Sequence, residues 1–168
     1  MELLLMRHAI ALSGSAVLPD AERPLSPRGR ERFAQVVVGL QRLGIRLDRL
    51  YYSPWRRAME TAALLTPVLD GEAIVSADLA GPPSRALLTD IVGQQVALVG
   101  HQPWMGELVM WLLTGSHAGG SGFAFKRGGV AWLEGQPKPG RMTLLAFLPP
   151  RVLRTLGEGH SPGSPGAV

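Results

Sequence analysis

The run Glu2–Met6, apolar from Leu3 onward and followed at once by Arg7-His8, constrains the fold more than any other stretch of the chain. A short continuous apolar run of this kind marks a strand buried on both faces, so its sheet needs helices above and below it. Two more segments fit the same description: Leu47 to Ser53, carrying Leu50, Tyr51 and Tyr52, and Val96–Val99, which ends in Gly100-His101. Helical patterns lie between them. Ser26-Pro27 reads as an N-cap with proline at the first helical position; Phe33, Val36, Val37, Leu40 and Leu43 follow at helical spacing, and Gly44 closes the helix. Ser53-Pro54 repeats the cap-plus-proline device and opens a second helix with Ala58, Ala62, Leu65 and Leu69 on one face. Ile74–Ser76 reads as a short strand, Ser84 to Val92 as a helix, and Pro103 as the start of another helix bearing Trp104, Leu108, Val109, Trp111 and Leu112. Strands over Val130–Leu133 and Met142–Phe147 and a short helix over Arg151–Leu156 complete the pattern. The alternation predicts an α/β sandwich with a mainly parallel sheet. It forms one domain over residues 1–156, with a disordered Gly/Pro/Ser tail over 157–168.

Composition narrows the function classes. The chain has 168 residues, 46% hydrophobic and 18% charged, as expected of one soluble globular domain. No apolar stretch approaches bilayer-spanning length, and the N-terminal run lacks the features of a signal peptide, so a cytoplasmic location is expected. With no cysteine, disulfides, thiolate metal sites and cysteine nucleophiles are excluded. The net charge is +4 and the pI about 10.3. A basic surface suits nucleic acid, an acidic partner or phosphate. The arginines are dispersed, however, and aromatics are only 6%, which argues against a nucleic-acid stacking surface. The expectation is a monomer with neither nucleic-acid nor membrane partners.

Chemistry concentrates at the strand ends. Ligands in open α/β sheets gather beyond the carboxyl ends of strands. Here those ends carry Arg7-His8, Ser53 with Arg57 one helical turn on, and His101. Guanidinium forks match phosphate oxygens, and two arginines beside His8 disfavour its protonated form. A neutral imidazole facing a phosphorus held by cations can act as a covalent nucleophile. Thr61 shares the helix face of Arg57 and can support it. His101 can donate a hydrogen bond to a phosphoryl oxygen. Arg7 beside His8 repels cations, and no acidic cluster accompanies the histidines, so neither a metal nor another cofactor is expected.

The strings LLLMRHAIA, ERPLSPRGRE, SPWRRAMET and ALVGHQP occur in the order found in the histidine phosphatase (phosphoglycerate-mutase-like) superfamily. The chain resembles its compact SixA-type phosphohistidine phosphatase branch over roughly Met1 to Thr114. The resemblance implies a three-layer α/β/α sandwich and metal-independent catalysis. It makes His8 the phosphorylated residue, Arg7 and Arg57 phosphate ligands, and His101 the residue that completes the pocket.

Two departures bear on the details. Ala9 replaces the usual glycine of the R-H-G motif, which a methyl group permits if φ stays negative. Larger relatives carry a glutamate acid in an insertion after the third strand, whereas this chain has only Asp78-Leu79-Ala80-Gly81 there. Asp78 is therefore a candidate acid, against the reading of a solvated loop charge. An alkoxide leaving group needs protonation more than the imidazole of a phosphohistidine does. A missing lid and a doubtful acid thus point to a phosphohistidine-bearing signalling or phosphorelay protein as substrate. A small phosphate ester or sugar phosphate is the alternative, and a non-catalytic phosphate or phosphoprotein-binding module is the reading from another class. Ser53 reads as a helix cap, Arg56 as surface charge or a docking contact, Arg23 and Arg28 as solvated charges with a pocket rim as the alternative, and Trp104 and Trp111 as core or interface packing.

Overall fold

The computed structural model describes residues 1–14 and 17–158. Six strands form one sheet: β1 (Glu2–Arg7), β2 (Leu47–Tyr52), β3 (Leu69–Val75), β4 (Gln95–Gly100), β5 (Val130–Gly135) and β6 (Met142–Leu148), in the order β3-β2-β4-β1-β5-β6. The first four strands are mutually parallel, and β5 and β6 add an antiparallel edge. Helices α1 (Pro27–Arg42), α2 (Arg56–Leu64), α3 (Arg85–Asp90), α4 (Trp104–Thr114) and α5 (Pro150–Glu158) cover both faces.

The apolar run of β1 explains the layering. Leu4 and Met6 point into a core with Phe33, Val36 and Leu40 of α1, Ala58 and Ala62 of α2, and Leu153 of α5. Leu3 and Leu5 point the other way, into a core with Leu87 of α3 and Met105, Leu108 and Leu112 of α4. Period-two alternation with every position apolar is what a central strand between two helical layers demands. Leu3 through Met6 are fully buried.

Several boundaries differ from the sequence expectation. α2 begins at Arg56, not at Pro54, and Trp55 is its N-cap without a side-chain capping bond. Leu69 belongs to β3 rather than to the face of α2, because α2 ends at Leu64 and a short 3-10 turn over Thr66–Val68 intervenes. α5 runs through Gly157 and Glu158, beyond the predicted start of the tail. Gly157 lies so close to the Gln35 carbonyl that an added Cβ would stand 2.6 Å from it, so the helix end is held against α1. The rest of the predicted tail, 159–168, lies outside the described residues. The Ser26 cap is as expected: its Oγ accepts the Gly29 N–H at 3.0 Å, and its own N–H and hydroxyl both reach the Ile10 carbonyl. Among the described residues no helix is long and apolar enough to cross a membrane.

Candidate active site

Strand register brings the chemistry together. Arg7 pairs with Gly100 across β1 and β4, and Tyr52 with Val99 across β2 and β4. The residues that follow these ends, His8, Ser53 and His101, therefore emerge side by side at about the spacing of neighbouring strands. Backbone ladder bonds continue into the site, from His8 N–H to Gly100 O at 3.1 Å and from Ser53 N–H to Val99 O at 3.0 Å. The His8 and His101 rings lie 5.1 Å apart between centroids. Arg57, in the first turn of α2, reaches back from above. A cavity of about 300 Å³ holds Arg7, His8, Arg57 and His101, with Asp20 and Trp104 on its walls.

The hydrogen bonds fix the state of His8. Its Nδ1 lies 2.7 Å from the Ala9 carbonyl. A carbonyl can only accept, so Nδ1 carries the proton. Nε2 is then left with its lone pair, which accepts the Arg57 Nε–H at 3.1 Å. Burial pushes the His8 pKa down to about 3, against the pull of the Ala9 carbonyl, with His101, Arg57 and Arg7 pushing in the same direction as burial. At neutral pH the side chain is a neutral imidazole whose nucleophilic nitrogen faces the cavity's cations.

The supporting residues are buried and specifically bonded. Thr61 accepts the Ala9 N–H at 3.0 Å and donates to the Arg57 carbonyl at 2.6 Å, tying the strand end to α2. Ala9 is buried, and no residue other than glycine has positive φ among the described residues, so its methyl group is accommodated. Ser53 is not the cap of α2. Its hydroxyl accepts the Trp55 N–H at 3.3 Å and meets His101 Nε2 at 2.9 Å, which orients that ring. Burial, then Arg57, lowers the His101 pKa to about 3, with Asp20 opposing and Arg7 and Arg23 adding to the drop. Arg7 gives one terminal N–H to the Phe125 carbonyl at 2.7 Å. Its Nε and the Nδ1 of His101 are buried without hydrogen-bond partners among the described residues. Buried polar nitrogens without partners are uncommon, and here both belong to residues lining a cationic cavity.

Replacing Thr61 by valine keeps the volume and removes both bonds. Because it leaves the Ala9 N–H buried and unpaired, urea denaturation is expected to show a loss of about 1–3 kcal/mol. An unchanged midpoint would mean that Thr61 does not brace the His8 loop.

Further residues enter the site beyond those the sequence reading placed there. Asp20, in a short 3-10 turn, receives Arg57 through its backbone carbonyl at 2.6 Å and through Oδ2 at 2.9 Å. Its Oδ1 binds Arg23 at 2.7 Å, so Arg23 is an anchored wall of the cavity, the pocket-rim alternative of the sequence reading and not the solvated charge it favoured. Burial would raise the Asp20 pKa, but the bond to Arg57 and the charges of Arg57 and Arg23 hold it below the usual carboxylate range. Such a carboxylate stays ionised at neutral pH; it orients the arginines and is poorly suited to donate a proton. The available signal was the acid three residues before Arg23 in an otherwise turn-rich loop.

Trp104 likewise lines the cavity, its ring edge-on to His101 at 6.3 Å between centroids, where core or interface packing was expected. Trp55 stacks beneath Arg57, whose guanidinium carbon is 4.5 Å from the ring centroid. Trp111 is in the core beneath α4 as expected. Asp78 does not line the cavity; its carboxylate takes the Ser84 hydroxyl at 2.8 Å, ahead of α3. Arg28 is exposed, and Arg56 is an exposed partner of Glu60.

Comparison with known proteins bears on the family and the fold. Residues 3–80 match the model of the histidine phosphatase superfamily, branch 1. The chain belongs to that superfamily. An uncharacterised Picosynechococcus protein is 36% identical over 115 residues, 64% of this chain and 70% of the relative. The structure of the protein histidine phosphatase SixA complexed with tungstate superposes with a TM-score of 0.75 at 24% identity, covering 91% of this chain and 99% of that one. The α-ribazole phosphatase of Shigella flexneri superposes at 0.68 and 17% identity, covering 89% and 97%. At these identities the two structures share the fold with this chain, and their named substrates differ from each other.

Proposed function

We propose that this histidine phosphatase superfamily member removes the phosphoryl group from phosphohistidine on a protein, with His8 as the acceptor. The observation that carries the reading is the protonation state of His8: a buried neutral imidazole, proton on Nδ1, with the Nε2 lone pair toward Arg57. In the first step Nε2 attacks phosphorus, the substrate's P–N bond breaks, and the leaving imidazole retains that electron pair and takes up a proton. Arg7, Arg57 and His101 stabilise the equatorial oxygens as the phosphoryl group moves. In the second step water attacks the phosphoryl group on His8, the P–Nε2 bond breaks, and orthophosphate leaves with His8 neutral again. Arg57 Nε must give up its bond to Nε2 as attack begins, and its terminal nitrogens remain anchored to Asp20.

The choice of phosphohistidine over an ester rests on proton supply. Asp20 is held ionised and Asp78 lies off the cavity, so neither carboxyl is placed as a protonated acid for an alkoxide. An imidazole leaving group makes a smaller demand. The test compares a phosphohistidine phosphotransfer protein with an alkyl phosphate ester, chelator present in both. The phosphoprotein is expected to be the better substrate by at least about 100-fold in kcat/KM, the range over which a missing general acid acts. Faster turnover of the ester would overturn the assignment.

A further inference from the structure

A second, larger concavity of about 650 Å³ opens beside the cavity at His8, and Arg7 and Arg127 line both. Its rim is cationic: Arg32 of α1, Lys126 and Arg127 of the loop before β5, and Arg151 and Arg154 of α5. No aspartate or glutamate lines it. Six arginines elsewhere, Arg23, Arg30, Arg46, Arg49, Arg56 and Arg57, each face a carboxylate, and the others without an ion pair among the described residues, Arg28, Arg42, Arg85 and Arg141, do not line this concavity. Among the described residues none of the five rim cations has an ion pair or side-chain hydrogen bond. Unpaired like charges repel one another and lower stability, so a cluster of them contiguous with a catalytic cavity calls for an anionic occupant. Between them the accessible apolar surface comes from Ile10, Pro149 and Pro150, with the buried Phe33 and Val36 beneath.

We infer that this groove docks an acidic, apolar-interspersed polypeptide segment of the phosphoprotein substrate, beside the histidine being dephosphorylated. The inference rests on the phosphohistidine-protein reading above. A free phosphate would engage the rim and leave the apolar surface uncovered, whereas a segment alternating acidic and apolar side chains satisfies both. Continuity through Arg7 and Arg127 places such a segment within reach of a phosphohistidine seated at His8.

The probes are a fluorescent peptide of alternating glutamate and leucine, a phosphohistidine phosphotransfer protein and an aryl phosphate. They are compared on the wild type and on Arg32→Glu/Arg151→Glu, two rim positions on different helices away from the catalytic cavity. Peptide affinity is expected to fall at least about tenfold in the variant, and KM for the phosphoprotein to rise similarly, both effects shrinking at high salt. Aryl phosphate turnover stays unchanged, reporting an intact fold and catalytic site. Should the charge reversal impair folding, Arg32→Gln/Arg151→Gln gives the same comparison with a smaller change. Equal peptide and phosphoprotein affinities in wild type and variant overturn the docking groove, as does tighter binding of a single-stranded oligonucleotide than of the peptide. If wild type ignores the phosphoprotein but loses peptide affinity on charge reversal, the substrate reading fails and the acidic-segment site stands.

Discussion

On the proposed mechanism, replacing His8 by alanine should lower kcat at least about 10³-fold, with a far smaller change in KM, because it removes the proposed covalent acceptor and leaves the proposed phosphate ligands in place. Arg7, Arg57 and His101 are positioned by partners other than the His8 ring: the Phe125 carbonyl, Asp20 and Ser53 respectively. Substrate therefore still meets its cationic pocket in the variant. Rapid quenching during turnover should trap an acid-labile phosphoryl group on wild-type protein and none on His8→Ala. The exchange of an imidazole for a methyl group at a site only 6% exposed also leaves a small cavity, so a melting curve must accompany the assay. A variant that is folded and turns over at the wild-type rate would remove His8 from the chemistry.

Mild acid should destabilise the protein strongly, through the same two histidines. Their pKa values stand at about 3 in the folded chain, chiefly through burial. In the unfolded chain they titrate near about 6.5. Between these values the unfolded state binds protons that the folded state refuses, so stability falls as pH falls through the window and is unaffected above it. The slope approaches about 1.4 kcal/mol per pH unit for each histidine, or on the order of 4 kcal/mol each by the foot of the window. Asp20 and Glu60, both held below the usual carboxylate range, add a further loss once pH drops past the unfolded carboxylate values. Urea denaturation at about pH 7.5 and about pH 5 should differ by several kcal/mol, and His8→Ala should lose a large part of that difference. Equal midpoints at the two pH values would show that the histidines are not held neutral.

Much of the frame was legible because a strand buried on both faces cannot hide its composition. Leu3 to Met6, Tyr51 and Val96 to Val99 announced a central parallel sheet, and the polar residues ending those runs announced where a ligand would meet it. The boundaries were harder. Pro54 suits a helix start, yet the helix begins two residues later; Trp55 lines the cavity and the buried Ser53 hydroxyl meets His101. Trp104 has the spacing of a core residue, but its position beside the end of β4 turns it toward the site.

By itself the sequence determined the layered α/β frame and the identities of Arg7, His8, Arg57, Thr61 and His101 as one group, because strand ends and helix periodicity are local properties. Only the tertiary structure decided the rest. It set the register that aligns Arg7 with Gly100 and Tyr52 with Val99, and so brings the two imidazoles within 5.1 Å. It closed the loop that brings Asp20 onto Arg57 across 37 positions of sequence, and it moved Asp78 onto Ser84 instead of into the cavity. It also gathered rim arginines from α1 and α5, dispersed in sequence, into one unneutralised patch. Pairings between distant segments depend on how whole layers pack, and no local pattern of residues encodes which loop will fold over which strand end.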